Sequence, residues 1–135
     1  MRFRTIAADD SLPEGADDKL RRFLAYWRSK CSTGRLPGRR DIDPMDIAPL
    51  LASIFLMDVD AGDFRFRLVG QDIVTRYGVL KGRKVGELMV GAELAETIAE
   101  HRRCVQSRLP VYAENTRKSA GAGDWLLYQR LLSRP

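Results

Sequence analysis

Residues 53–70 read SIFLMDVDAGDFRFRLVG, with two apolar runs on either side of a short turn. In the second run Phe64, Phe66 and Leu68 alternate with two arginines. Alternation with a period of two, next to a turn containing glycine and aspartate, is typical of a β-hairpin. We therefore predict an antiparallel hairpin in which these three apolar side chains face a core and the arginines face water.

A helical pattern precedes the hairpin. Asp17 is a suitable N-cap, and apolar residues recur after it at helical spacing, namely Leu20, Phe23, Leu24, Trp27 and Cys31. This pattern predicts an amphipathic helix over residues 16–31. Asp43 and Pro44 predict the start of a second helix, which Pro49 keeps short.

After the hairpin the sequence predicts further helices and then two strands. The predicted helices cover residues 72–78 and about 92–107, and the predicted strands cover about 110–116 and 125–132. Residues 1–15 begin with a short alternating stretch and turn acidic and Pro/Gly-containing, which predicts a flexible N-terminal segment. The fold class is therefore α+β, an antiparallel sheet covered by helices on one face.

Length and composition limit the class of protein. A chain of 135 residues is expected to form one domain with a short appendage. No apolar run approaches the roughly 20 residues that cross a bilayer, and no secretory signal is present, so we expect a cytoplasmic protein without membrane insertion. The net charge of +5 is compatible with binding to phosphate, acidic lipid or an acidic protein face, and a solvated basic surface is the favoured explanation. Without zinc-finger spacing or an aromatic RNA-binding motif, nucleic-acid association is the least favoured function.

The motifs, in this order, resemble the PAS domain family, and more narrowly a bacterial subfamily of small single-PAS proteins. The resemblance spans about residues 20–132. It is carried by the segments 41–44, 47–51, 54–59, 64–70, 77–78, 80–83 and 128–132. It implies a five-stranded antiparallel sheet of order 2-1-5-4-3 and a role in signal sensing or protein–protein interaction, often through dimers. It does not imply a reaction.

The sequence departs from that family in the number of strands. We find four strands in the PAS-like region, and the final central strand, expected between the first and the fourth, is missing. We therefore describe residues 16–135 as a PAS-like domain, with its N-terminal helix at 16–31, that is truncated at its C-terminus. The alternating stretch Arg2–Ile6 is a candidate to fill the empty position.

Two sets of residues are candidate binding sites. In a PAS fold the ligand pocket lies between the sheet and the helices, and the resemblance implies a lining of Leu56, Phe66, Leu68, Ile73, Tyr77, Leu88, Ile98 and Trp125. The same residues could simply form the core. The apolar face of the first helix would pack on the sheet or on a partner, such as a second copy of the chain, through Leu20, Phe23, Leu24 and Trp27.

Catalytic and cofactor chemistry finds little support. His101, the single histidine, could ligate haem iron, but a packed or solvated helix histidine is the better explanation. Cys31 and Cys104 lack metal-ligand spacing, and Asp58 and Asp60 precede a turn where aspartate is common. We predict no enzyme, cofactor or metal site. The functions that stay open are an interaction module, a sensor of an apolar small molecule and, less favoured, a nucleic-acid-associated protein.

Overall fold

The structure is a computed structural model that describes residues 2–32, 35–118 and 125–133, and at residues 39, 115–118 and 125–128 it describes the backbone alone. The chain divides into two compact units. Residues 43–99 form the central unit, and residues 1–42 with 100–135 form the terminal unit. The assignment of residues 16–135 to a single domain stays a prediction.

The helices and strands confirm the α+β class. The strands are β1 (Arg2–Thr5), β2 (Phe55–Asp60), β3 (Asp63–Val69), β4 (Val111–Lys118) and β5 (Trp125–Leu132). The α-helices are α1 (Asp18–Lys30), α2 (Gln71–Tyr77), α3 (Val85–Leu88) and α4 (Gly91–Ser107), and 3₁₀ helices cover Arg39–Asp41 and Pro44–Ser53. Instead of one sheet, the described strands form two antiparallel sheets, β1-β4-β5 and β2-β3.

Helix α1 begins where its capping residue predicts. The Asp17 carboxylate accepts a hydrogen bond from the backbone N–H of Lys19 at 2.8 Å, which satisfies one of the free donors of the first turn. The helix ends at Lys30, one residue before the predicted end. Its apolar face packs into the core of the terminal unit, whose buried residues are Ile6, Leu12, Ala16, Leu24, Trp27 and Tyr112.

The three-stranded sheet has β4 at its centre. β4 pairs with β5 from Val111↔Leu132 to Lys118↔Trp125, and β1 pairs with the other edge of β4. The N-terminal segment is therefore not wholly flexible, because residues 2–5 form a strand and Ile6 behind them is fully buried. Arg2–Ile6 does not take the position suggested for it between the first and fourth PAS-like strands, which are β2 and β5, because β1 pairs with β4 and does not border β5.

Polar side chains attach the start of α1 and the C-terminal part of α4 to β5. Gln129 accepts from the backbone N–H of Asp17 at 2.7 Å and donates to the carbonyl of Gly15 at 2.8 Å, which fixes the start of α1. Glu100 on α4 is fully buried. Its carboxylate accepts hydrogen bonds from both Nε and Nη2 of Arg130, the one from Nε at 3.0 Å. A bidentate pair of this kind fixes the angle as well as the distance between its partners.

The predicted hairpin forms in the central unit. Its two-residue turn, Ala61 and Gly62, has positive φ at both positions, +47° and +86°, the conformation that matches the twist of the paired strands. The register from Asp60↔Asp63 to Met57↔Phe66 is regular, and it then shifts by one residue so that Leu56 pairs with Leu68. Arg67 is the extra residue of a β-bulge.

The bulge changes which way Leu68 faces. By alternation from Met57, Leu56 shares the face of Asp58, and the bulge brings Leu68 to that polar face. Phe64 is buried and Phe66 is half-buried as predicted, but Leu68 is 53% exposed. The prediction that Leu68 faces the core is therefore wrong, because a strict period of two cannot include an inserted residue.

Gly70 closes the hairpin at its open end. Its N–H donates to the carbonyl of Ile54 at 2.8 Å, and it is also the N-cap of α2. A Cβ at this position would lie 2.4 Å from the carbonyl oxygens of both Leu51 and Ala52. Only glycine fits here, because the atoms in contact belong to the backbone.

Candidate functional site

The residues predicted to line a PAS pocket differ in how far they are buried. Leu56, Leu68 and Tyr77 are exposed, at 40%, 53% and 45%. Four others are half-buried, namely Phe66, Ile73, Leu88 and Ile98. The side chain of Trp125 lies outside the described residues. As a ligand lining, the set stays a prediction.

The predicted partner face of α1 is used within the chain. Leu24 and Trp27 are only 4% and 5% exposed, and Leu20 and Phe23 are partly buried against the same core. Of the two arrangements that the sequence allows, packing on the sheet or on a partner, the structure shows the first. A substitution of Trp27 would therefore perturb the core before it could report on an interface.

The hairpin instead presents an apolar pair on a charged face. Leu56 and Leu68 are Cα partners, and both side chains are substantially exposed. Val59, Val79 and Val90 are also exposed, at 64%, 76% and 83%. Large exposed apolar residues in the described structure thus concentrate in the central unit. Among these residues Leu56 and Leu68 are strand partners, and adjacent exposed apolar side chains mark interaction surfaces more often than scattered single ones do.

The hairpin that carries the apolar pair also carries acidic and basic side chains that pair with one another or with Lys84. The Arg65 guanidinium contacts the Asp60 carboxylate at 3.1 Å, and the Lys84 ammonium lies 3.5 Å from the same group. Arg67 lies 3.6 Å from Asp58. The hydrogen bond from Arg65 and the charge of Lys84 hold the pKa of Asp60 below its ordinary value. Both aspartates are therefore engaged by bases of their own unit.

Only one edge of the hairpin is covered among the described residues. The backbone N–H of Phe66 donates to Arg83 at 2.9 Å, and Gly82 donates back to Phe66 at 2.7 Å, so residues 82–84 cover the edge of β3. The Asp63 carboxylate accepts from the N–H of Gly86 at 3.1 Å and fixes the same connection. The outer edge of β2 has no strand partner in the described part of the chain.

His101 lies in a buried polar environment. It is 6% exposed, and its Nδ1 lies 3.7 Å from the buried Glu100 carboxylate. Cys104, one turn further along α4, is also buried. The described residues contain no group of three or more metal-ligating side chains. Haem ligation by His101 stays a hypothesis.

The terminal unit contains a cavity that the sequence did not indicate. It has a volume of about 440 Å³ and lies among residues 6–8 after β1, the last turn of α1, residues 35–36, and residues 108–110 between α4 and β4. Its walls are mostly apolar, with Arg28, Arg35 and Arg108 among them. Sequence reasoning missed this site because residues 6–8, the end of α1 and residues 108–110 are far apart in the chain and come together only in the folded unit.

Comparisons with known proteins place the chain in a family. Within the described residues, each helix is too short or too polar to cross a membrane. Neither a search of curated proteins nor a search of solved structures found a match. A family model described as PAS domain matches residues 16–133, most of the chain.

Proposed function

We propose that this chain, which belongs to the PAS domain family, is a non-catalytic signalling module that acts by pairing with a second copy of itself. Membership in the family indicates a sensory or signalling module in general terms. The proposal adds the partner and the surface. The surface is the hairpin of the central unit, with Leu56 and Leu68 at its centre.

The exposed Leu56–Leu68 pair is the observation that carries the proposal. Two leucines exposed by 40% and 53% and paired across two strands form a continuous apolar spot. Beside it, the outer edge of β2 offers backbone hydrogen-bonding groups that no described strand uses. An open edge next to apolar side chains favours the addition of another strand.

The charges on this face support a second copy as the partner. Asp58 and Asp60 are each matched by an arginine or lysine of the same unit. Two such faces can therefore approach without a strong net repulsion of like charges. A two-fold arrangement uses the same patch on both chains, so a patch that is apolar at its centre and neutralised at its rim is suited to pair with itself.

The mass of the purified protein in solution tests the proposal. We expect a dimer by light scattering, and we expect Leu68→Glu to weaken dimerisation at least tenfold, because a carboxylate would be buried without a partner. The matched control is Val90→Glu, which places the same charge at an exposed apolar position outside the hairpin and should leave the dimer intact.

Two results would contradict the proposal. One is a monomeric mass at every concentration tested. The other is an equal effect of both substitutions, which would mean that added charge and not this surface controls the association. Circular dichroism of the two variants should match that of the unmodified protein, since each site is already exposed.

A further inference from the structure

The cavity of the terminal unit has the size and composition of a small-molecule site. Its volume of about 440 Å³ lies within the range of about 300–1,000 Å³ that is usual for ligand pockets. Ile6, Trp27, Leu36 and Leu109 provide apolar walls. Ile6 is fully buried and Trp27 is 5% exposed, so these walls belong to the well-packed core of the unit.

Three guanidinium groups line the same cavity. Arg28 donates through Nη2 to the carbonyls of Ala7 and Asp10, at 2.9 and 2.6 Å, which fixes its position without neutralising its charge. Among the residues that the structure describes, no carboxylate forms an ion pair with Arg28, Arg35 or Arg108. The cavity therefore carries uncompensated positive charge.

The helix ends at this cavity do not cancel that charge. The C-termini of α1 and α4 lie at its wall, and each carries about half a negative charge from its free carbonyl groups. The three guanidinium groups together carry three positive charges, which exceed the roughly one negative charge of the two helix ends. The thiol of Cys31, at the same cavity, is affected both by burial and by the arginine charge. Burial raises the pKa of this thiol, and the positive charge of Arg28 opposes the rise.

Arg108 occupies a backbone conformation that glycine would adopt more easily. It follows the last residue of α4 with a φ of +60°, and its N–H closes the helix by donating to the carbonyl of Cys104 at 3.1 Å. Helices often end on glycine at such a left-handed position, because a side chain there is strained. Strain retained at a cavity wall points to a use for the side chain.

We infer that this cavity binds a small organic anion, with the apolar body of the ligand against Trp27 and Leu109 and its carboxylate held by Arg35 and Arg108. Arg28 adds a fixed positive charge behind them. The site lies wholly within the terminal unit, so it goes beyond the proposed pairing through the hairpin and does not depend on it.

Titration calorimetry with octanoate tests the inference, with 1-octanol and acetate as comparison probes. We expect octanoate to bind, 1-octanol to bind at least tenfold more weakly because it lacks the charge, and acetate to show no saturation because it lacks the apolar body. In ¹H–¹⁵N spectra, octanoate should shift the Trp27 indole and the backbone amides of Ile6 and Arg108. Failure of octanoate to bind, or equal affinity for octanoate and 1-octanol, would overturn the inference.

Arg108→Gly separates binding from folding. Glycine suits the backbone at this position, so the midpoint of urea unfolding should stay the same or rise, while octanoate affinity falls about tenfold with the loss of one charged contact. The matched control is Arg102→Gln, which removes one positive charge from an exposed site on α4 and should leave the affinity unchanged. An Arg108→Gly variant that keeps its octanoate affinity within twofold would refute the assigned role.

Discussion

The buried pair of Glu100 and Arg130 offers the sharpest test of how the terminal unit is held together. Glu100→Gln keeps the size of the side chain, so it creates no cavity. It replaces one of the two carboxylate oxygens that face the Arg130 guanidinium with an NH₂ group, so that one hydrogen bond is lost and two donors face each other. The negative charge that faces the Arg130 guanidinium is removed at the same time.

The size of the effect follows from burial. Breaking a fully buried ion pair by removing one partner costs about 3–5 kcal/mol. Glu100 is fully buried, but the side chain of Arg130 is 31% exposed, so water solvates part of the remaining guanidinium. We therefore expect Glu100→Gln to lower the free energy of unfolding by about 3 kcal/mol, at the lower end of that range.

Urea unfolding followed by circular dichroism measures this loss. Arg102→Gln, a charge-removing substitution at an exposed position on the same helix, is the control and should change the free energy of unfolding by less than about 0.5 kcal/mol. The double variant with Arg130→Gln should lose less than the sum of the two single changes, because each removes the same contact. A loss below about 1 kcal/mol for Glu100→Gln would refute the reasoning, because the pair would then contribute no more than an exposed salt bridge.

Two predictions concern the hairpin. Gly70→Ala should destabilise the protein by about 1–3 kcal/mol, because the added Cβ would press on the backbone carbonyls of residues 51 and 52. Gly15→Ala is the control, because a Cβ at Gly15 meets nothing within 4 Å, and it should have little effect on the midpoint of urea unfolding. An equal loss of stability in the Gly70→Ala and Gly15→Ala variants would contradict this prediction. Asp60 should titrate by ¹³C NMR below its ordinary pKa of 3.8, because Arg65 and Lys84 favour the carboxylate. The ion pairs of Asp60 thus stabilise the hairpin at pH values above 3.8, and this stabilisation is lost as the pH falls through the lowered pKa of Asp60. A titration midpoint at or above 3.8 would contradict the pairing.

Local patterns predicted the local structure well. Asp17 and Asp43 cap the helices that they were expected to begin, and each accepts a hydrogen bond from a backbone N–H two residues later. The turn at residues 61–62 and the strand at 125–132 also stand where the sequence places them. These features depend on a few neighbouring residues, so their signals are complete within a short stretch of chain.

The errors arise where distant residues decide the outcome. Leu68 fits an alternating pattern, but the bulge at Arg67 becomes visible only once the register against β2 is known. The face of α1 that contains Trp27 reads equally well as an interface or as core, and the sheet that covers it is built from both ends of the chain. The cavity with its three arginines could not be predicted for the same reason.

The pairing of β1 with β4 also constrains the order of events during synthesis. Arg2 leaves the ribosome more than a hundred residues before its partner Glu114, whereas residues 43–99 form an uninterrupted stretch. The central unit can thus form its hairpin before β4, with which β1 pairs, has been synthesised. Because contacts between such distant residues form slowly, we expect the three-stranded sheet to set the pace of folding.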